Sequence, residues 1–284
     1  MQFHPRTWLK SAALIGLMLT AVSNQAWADS PCSERAKSLL LPGKISCSYK
    51  SVWIRSSGVS SRKVIYQLPS GTAPAGGWPV AVVYQGSFFP LDDFTYYTTD
   101  PFGGYYEGRV VKTLLENGYA VVAPSAPADL FWHTNLPGLA TNYESSTDFT
   151  FLTNLFQAID DGKLGALNGD RKYATGISSG GYNTSRMAVS FPGEFRALVV
   201  QSGSYATCSG PICSVPNPLP ANHPPTYFIH GFVDLVVPWW SMDMYYDQLL
   251  YQSIPTGRYT QTTGGHEWFP ASANKVLAWF NAYP

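Results

Sequence analysis

The sequence predicts an α/β fold, a mostly parallel central sheet with helices on both faces. Three observations carry that prediction. Short, uninterrupted apolar runs recur along the chain, as strands covered on both faces require. Stretches with helical apolar spacing fall between them. Glycine-rich or polar loops end the strands abruptly, and the residue types able to do chemistry collect in those loops. In a parallel sheet such loops share the carboxyl edge, where ligands bind.

Taken in order, a cysteine-bearing N-terminal segment leads to a strand over Val64–Leu68. A Gly/Pro turn region from Pro69 to Pro79 precedes the apolar run Val80–Tyr84, which Gln85-Gly86-Ser87 ends. An aromatic loop follows to about Tyr106, then a helix around Arg109–Asn117 stopped by Gly118. Tyr119–Ala123 is the next buried strand. A long loop from Pro124 to about Ser145 carries Phe131, Trp132 and His133, and Thr147–Asp161 has helical spacing at Phe151, Leu155 and Ile159. Lys172–Thr175 reads as a strand entering a turn, Gly181–Val189 as a helix, and Ala197–Val200 as a strand. A Pro-rich segment, Ser202–Pro225, precedes the strand Thr226–His230. A helix over Met242–Tyr251, a strand near Arg258–Gln261 and a helix over about Ala271–Ala282 close the chain.

The first residues are read as a leader. Arg6 and Lys10 form a basic start, Ser11–Val22 is almost wholly apolar, and Ala26-Trp27-Ala28 offers a small-x-small cleavage site before Asp29. This is the pattern of a secretory signal peptide, residues 1–28, and its apolar run is too short for a membrane span. The expectation is an exported, extracellular protein whose mature part, 29–284, folds as one domain, since no internal repeat or low-complexity linker divides it. Cleavage would remove two basic residues and leave a slightly negative chain. That balance gives no electrostatic case for nucleic acid or anionic membranes. Charged residues make up 13% and aromatics 15% of the chain, a surface suited to apolar, uncharged partners. Cys32, Cys47, Cys208 and Cys213 imply two disulfides in an oxidising compartment. Three pairings are possible; Cys32–Cys47 with Cys208–Cys213 closes the shortest loops. The absence of a Cys-x-x-Cys pair or clustered histidines argues against a metal site.

Gly176-Ile177-Ser178-Ser179-Gly180 lies between the Lys172–Thr175 strand and the following helix, the setting of a nucleophile elbow. A pattern of five residues is equally a turn that closes a strand, so the rest of the chain must supply the chemistry. A serine nucleophile needs a base for its proton and an acid to orient that base. In α/β-hydrolases these follow in the order serine, acid, histidine. Asp234 lies in the loop after the Thr226–His230 strand, and His266 is the one histidine beyond it, in a Gly-rich loop before the last helix. Asp234 alone would read as a turn residue. Asp243 and Asp247 fall in the next helix, and Glu267 is too close in sequence to curl back onto the His266 ring. His133 and His223 precede the acid, and His230 reads as a structural strand-end histidine. The oxyanion hole is expected from the Ser179 amide and the Ser87 amide, with Gly86 allowing the backbone to come close.

Gly176-Ile177-Ser178-Ser179-Gly180-Gly181-Tyr182, with Thr184-Ser185-Arg186-Met187-Ala188 after it, resembles the extracellular polyhydroxyalkanoate depolymerases. So do Gly231-x-x-Asp234-x-x-Val237-Pro238 and Gly264-Gly265-His266-x-Trp268. The resemblance spans essentially the whole chain and is strongest to the medium-chain-length type that degrades poly(3-hydroxyoctanoate). It implies the triad Ser178, Asp234 and His266, reached independently above, and hydrolysis of ester bonds in a water-insoluble aliphatic polyester. Acyl transfer through such a triad calls for no cofactor or metal, and the sequence makes no obligate protein partner evident. Members acting on short-chain polyester carry a linker and a separate binding domain, for which this chain has no room. Adsorption would fall to Phe88, Phe89, Phe94, Tyr96, Tyr97, Phe131 and Trp132, and Phe88, Trp132 and Trp268 are the candidate substrate contacts. The triad motifs also occur in secreted carboxylesterases and feruloyl-type esterases, so a soluble ester is the alternative substrate.

Overall fold

The computed structural model describes residues 30–135 and 140–284; the segment read as a signal peptide lies outside them. In chain order the strands and helices are β1 (Cys32–Arg35), β2 (Lys44–Cys47), β3 (Lys50–Arg55), β4 (Ser61–Gln67), β5 (Trp78–Tyr84) and β6 (Thr95–Tyr97). They continue with α1 (Gly104–Glu116), β7 (Ala120–Pro124), α2 (Thr147–Asp160), β8 (Leu167–Ile177), α3 (Ser179–Ser190) and β9 (Ala197–Gln201). The last are β10 (Thr226–Gly231), α4 (Trp239–Tyr251), β11 (Thr256–Gln261) and α5 (Ser272–Asn281).

Eight strands form one sheet in the order β11-β10-β9-β8-β5-β7-β4-β3. The six from β11 to β7 run parallel, and β4 and β3 extend the edge antiparallel. The parallel strands are the apolar runs of the sequence, and their alternation explains why those runs are unbroken. Val80, Val82 and Tyr84 of β5 point into one core with Phe151 and Leu155 of α2 and Met187 of α3. Ala81 and Val83 point into the opposite core with Val110 and Leu114 of α1 and Val276 and Phe280 of α5. A strand sandwiched this way has no polar face, and each fully buried aliphatic side chain contributes ~1.5–3 kcal/mol. A third cluster packs Met242, Tyr245 and Leu249 of α4 against Val200 and Phe228 at the other end of the sheet.

Two differences from the sequence reading have causes outside the local sequence. The aromatic loop contains β6, which joins β1 and β2 in a separate three-stranded sheet; so short a strand, pinned from outside, has no periodicity to read. Helix α1 begins at Gly104, five residues before the predicted start, because a left-handed Gly103 opens it. A Cβ there would lie 3.0 Å from the Trp268 amide nitrogen, so the helix start is set by contact with a distant loop. The cysteines pair as Cys32–Cys47 and Cys208–Cys213. The first links β1 to β2, and the second staples the Pro-rich segment after β9.

Candidate active site

Four of the parallel strands, β5, β8, β10 and β11, end at one edge, and the chemistry-bearing loops leave from those ends. At β8, Ser178 takes φ 58° and ψ −121° on entering α3. Positive φ at a residue with a side chain is strained and persists only where the surroundings enforce it. Here the Ser178 amide donates to the Gln201 carbonyl (3.1 Å) and its own carbonyl accepts from the Tyr182 amide (2.9 Å). The glycines on either side are steric requirements. A Cβ on Gly176 would come within 2.6 Å of the Tyr84 carbonyl oxygen, and one on Gly180 within 2.5 Å of the Gln85 carbonyl oxygen. The turn is therefore wedged against the end of β5.

Asp234 follows β10 in a loop tied to its neighbours. Its Oδ1 accepts from the amides of Val236 and Val237, both at 2.8 Å. Its Oδ2 accepts from His266 Nδ1 at 2.8 Å and lies 3.3 Å from His230 Nε2. Burial alone would raise this carboxyl, yet the hydrogen bonds from His230 and His266 and the Val237 amide hold it well below the usual carboxylate range. An ionised carboxylate only accepts, so His266 carries its proton on Nδ1 and leaves Nε2 free as a base. The His266 loop is laced to the acid loop through Val233 N–H to the Gly264 carbonyl (3.1 Å). It is held from below by Gln201, whose Nε2 donates to the Glu267 carbonyl (2.7 Å) while its Oε1 accepts from Ser272 Oγ (2.9 Å). The His230 ring donates from Nε2 to the Val237 carbonyl at 2.8 Å, the structural role its strand-end position suggested. Its second contact, with Asp234, depends on how the loop after β10 turns back, and the support from Gln201 and Ser272 joins β9 to the His266 loop and α5; neither was visible in the sequence.

Ser178 and His266 line one cavity of about 520 Å³. Gly86 and Ser87 from the end of β5 line it too, and a Cβ on Gly86 would sit 3.9 Å from the Ser178 Cβ. Neither the Ser87 nor the Ser179 amide donates to a backbone carbonyl among the described residues. Phe89, Leu91, Phe102 and Val236 supply apolar wall, and Phe102 meets the His266 ring edge-to-face at 5.7 Å. The remaining polar wall comes from Tyr96, Asp100, Glu107 and Trp268. Burial pushes the Glu107 carboxyl up to about 8, opposed by the facing Trp268 indole and reinforced by the charge of Asp100.

The three candidate substrate contacts separate. Phe88 is exposed at the cavity mouth, and Trp268 lines the wall from behind. Trp132 corrects the expectation made for it. It is fully buried beneath the site, with Nε1 donating to the Gln85 carbonyl (3.2 Å), its amide to Ser179 Oγ (3.0 Å) and its ring against Tyr84. It braces the two loops beside Ser178 and has no face left for a ligand. Phe94 and Tyr96 are likewise buried, whereas Phe88 and Phe89 of the same expected set are exposed.

A doubly covered parallel sheet with a strained serine after one strand and an aspartate–histidine pair after two others defines a protein of the α/β-hydrolase class. Solved structures share the fold at low identity. A puromycin-hydrolyzing peptidase of Mycobacterium tuberculosis matches with a TM-score of 0.60 and 14% identity over 84% of this chain and 39% of its own. A Pyrococcus horikoshii acylaminoacyl peptidase gives 0.58 and 15% over 84% of this chain and 40% of its own, and a thermostable esterase gives 0.59 and 16% over 82% and 62%. No protein-family profile matches the chain. A curated relative from Pseudomonas fluorescens, "Poly(3-hydroxyoctanoate) depolymerase", is 68% identical over 272 residues, covering 95% of this chain and 98% of its own. The chain belongs to the poly(3-hydroxyoctanoate) depolymerase family.

Proposed function

We propose that residues 29–284 form a secreted serine esterase that cleaves the ester bonds of medium-chain-length poly(3-hydroxyalkanoate), after removal of residues 1–28. The observation that carries the substrate is the 68% identity to a poly(3-hydroxyoctanoate) depolymerase over nearly the full length of both chains. The two disulfides fit an exported protein.

In the reaction, Ser178 Oγ attacks the ester carbonyl as His266 Nε2 takes its proton, and Asp234 holds the resulting imidazolium in place. The tetrahedral oxyanion is received by the Ser87 and Ser179 amides, each such donor contributing roughly 3–4 kcal/mol. His266 then protonates the departing alkoxide of the neighbouring unit, and the same base activates water to release the acid from Ser178. Three things support these roles: the Asp234–His266 hydrogen bond, the shared cavity wall of Ser178 and His266, and the φ of Ser178. Adsorption to the solid polymer falls to an exposed apolar rim. It includes Phe88 and Phe89 after β5, Phe102 before α1, and Phe232, Leu235 and Trp240 around the acid loop.

Clearing of a poly(3-hydroxyoctanoate) suspension by the mature protein is the test. We expect clearing with release of soluble hydroxyacids, lost in Ser178→Ala. Turnover of small soluble esters with an unchanged suspension would overturn the polymer assignment and leave a soluble-ester hydrolase.

A further inference from the structure

Three polar groups in the cavity wall are unused by the reaction as written. Glu107 Oε1, the Tyr96 hydroxyl and Trp268 Nε1 are buried, and none meets a hydrogen-bond partner in good geometry among the described residues. Even so, the Trp268 indole faces the Glu107 carboxyl closely enough to lower its pKa. The three residues are 8%, 4% and 1% exposed, and all line the cavity that holds Ser178 and His266. They come from three separate elements, β6, the first turn of α1 and the loop before α5. Asp100, also on this wall, is already engaged: its Oδ2 accepts from the Tyr97 amide at 2.6 Å. Buried polar groups are ordinarily paired, and a set left open in a concave site is a site whose partner is the ligand.

The chemistry of the set selects that partner. Tyrosine O–H and indole N–H donate, and a Glu107 that keeps its proton at neutral pH donates as well. A polyester chain offers only acceptors, carbonyl and ether oxygens, and no donor. Within a poly(3-hydroxyalkanoate) every acyl unit except the one bearing the free hydroxyl end carries a second ester on its third carbon, a few bonds from the carbonyl under attack. We propose that Glu107, Tyr96 and Trp268 form an acceptor-binding subsite for the ester group borne on the third carbon of the acyl chain. It thereby selects a 3-acyloxyacyl unit over a plain fatty acyl chain. The apolar neighbours Leu91, Ile177 and Phe102 leave little else for a polar group to meet there. A plain acyl chain leaves the three donors unpaired, and sites built to pair a polar group reject analogues that lack it. This rests on Ser178 being the nucleophile.

The test compares 4-nitrophenyl 3-acetoxyoctanoate with 4-nitrophenyl octanoate. The wild type should prefer the acetoxy ester in kcat/KM. Glu107→Leu should lose about tenfold on it, mostly in KM, and change by less than about twofold on the octanoate. Glu107→Gln, which keeps a donor, should retain most of the preference. Tyr96→Phe, which changes no shape, should show the same split as Glu107→Leu and carries the test if Glu107→Leu does not fold. Equal losses on both esters, or no loss on either in a folded variant, would overturn the subsite. Octanoate turnover surviving in Ser178→Ala would instead overturn the nucleophile assignment.

Discussion

Asp234 and Glu107 are both buried carboxyls beside the same cavity, and their surroundings push them in opposite directions. Asp234 receives hydrogen bonds from two histidines and two backbone amides, and these overcome the cost of burial and hold it ionised. Glu107 has burial opposed only by the facing Trp268 indole, and Asp100 nearby adds repulsion, so it holds its proton to about 8. Pairs of acids driven apart in this way mark a division of labour. The Asp234 half of the site is closed by protein groups alone, as the proposed acid–base role requires. The Glu107 half is left open.

The largest losses are expected on the Asp234 side. His266→Ala should lower kcat for soluble esters by about a million-fold, and Asp234→Asn by about ten-thousand-fold, because the amide no longer fixes the proton on Nδ1. Glu107→Gln should lower octanoyl-ester turnover less than about twofold. Steady-state kinetics on purified, folded variants would check this; a comparable loss in Glu107→Gln would place Glu107 in the acid–base machinery and erase the contrast.

The two halves were also unequally legible in the sequence. Ser178, Asp234 and His266 each stand in a loop after a stretch readable as a strand, so their chain order could be read without a structure. Helix α1 reads as beginning at Arg109, which leaves Glu107 in an aromatic loop, and nothing local announces its burial. That burial comes from Tyr96 and Trp268, brought in by a three-residue strand and by a loop more than a hundred residues away. The same limit separates Trp132 from Trp268. Both are tryptophans in loops near the carboxyl edge, yet one is sealed under Gln85 and Ser179 and the other faces the cavity. Periodicity reports which residues are inside; it does not report what they face.

The next effect is on stability, and the two acids should give slopes of opposite sign. Unfolded, Glu107 titrates near its ordinary 4.5; folded, near 8. Between those values the native state holds a proton that the unfolded chain has released, so stability falls as pH rises through the window. Glu107→Gln should remove that fall, leaving the variant more stable than wild type at pH 8 by a few kcal/mol, with the gap closing toward pH 4.5. Asp234 is displaced the other way. Its contribution is present above its ordinary value, 3.8, and is lost as pH falls below it. Asp234→Asn should therefore flatten the acid limb and lower stability across pH 5–8 by a constant amount, leaving the slope there unchanged. Urea unfolding at a series of pH values would measure both; parallel curves for wild type and Glu107→Gln would show that Glu107 is ionised in the folded state.

The smallest effect concerns the rim outside both halves. Leu235 is 94% exposed in the loop directly after Asp234, where an isolated leucine gains nothing from water. If the rim is where the solid polymer docks, burying such a side chain against alkyl chains is worth at most ~1.5–3 kcal/mol. Leu235→Ser should therefore lower the affinity for a poly(3-hydroxyoctanoate) film by at most about tenfold to a hundredfold. Its backbone and the Asp234 hydrogen bonds stay in place, so turnover of 4-nitrophenyl octanoate should hold within about twofold. Film binding and soluble-ester turnover falling together would mean that Leu235 acts through the acid loop, and unchanged binding would move the docking surface to the Phe88–Phe102 side of the cavity mouth.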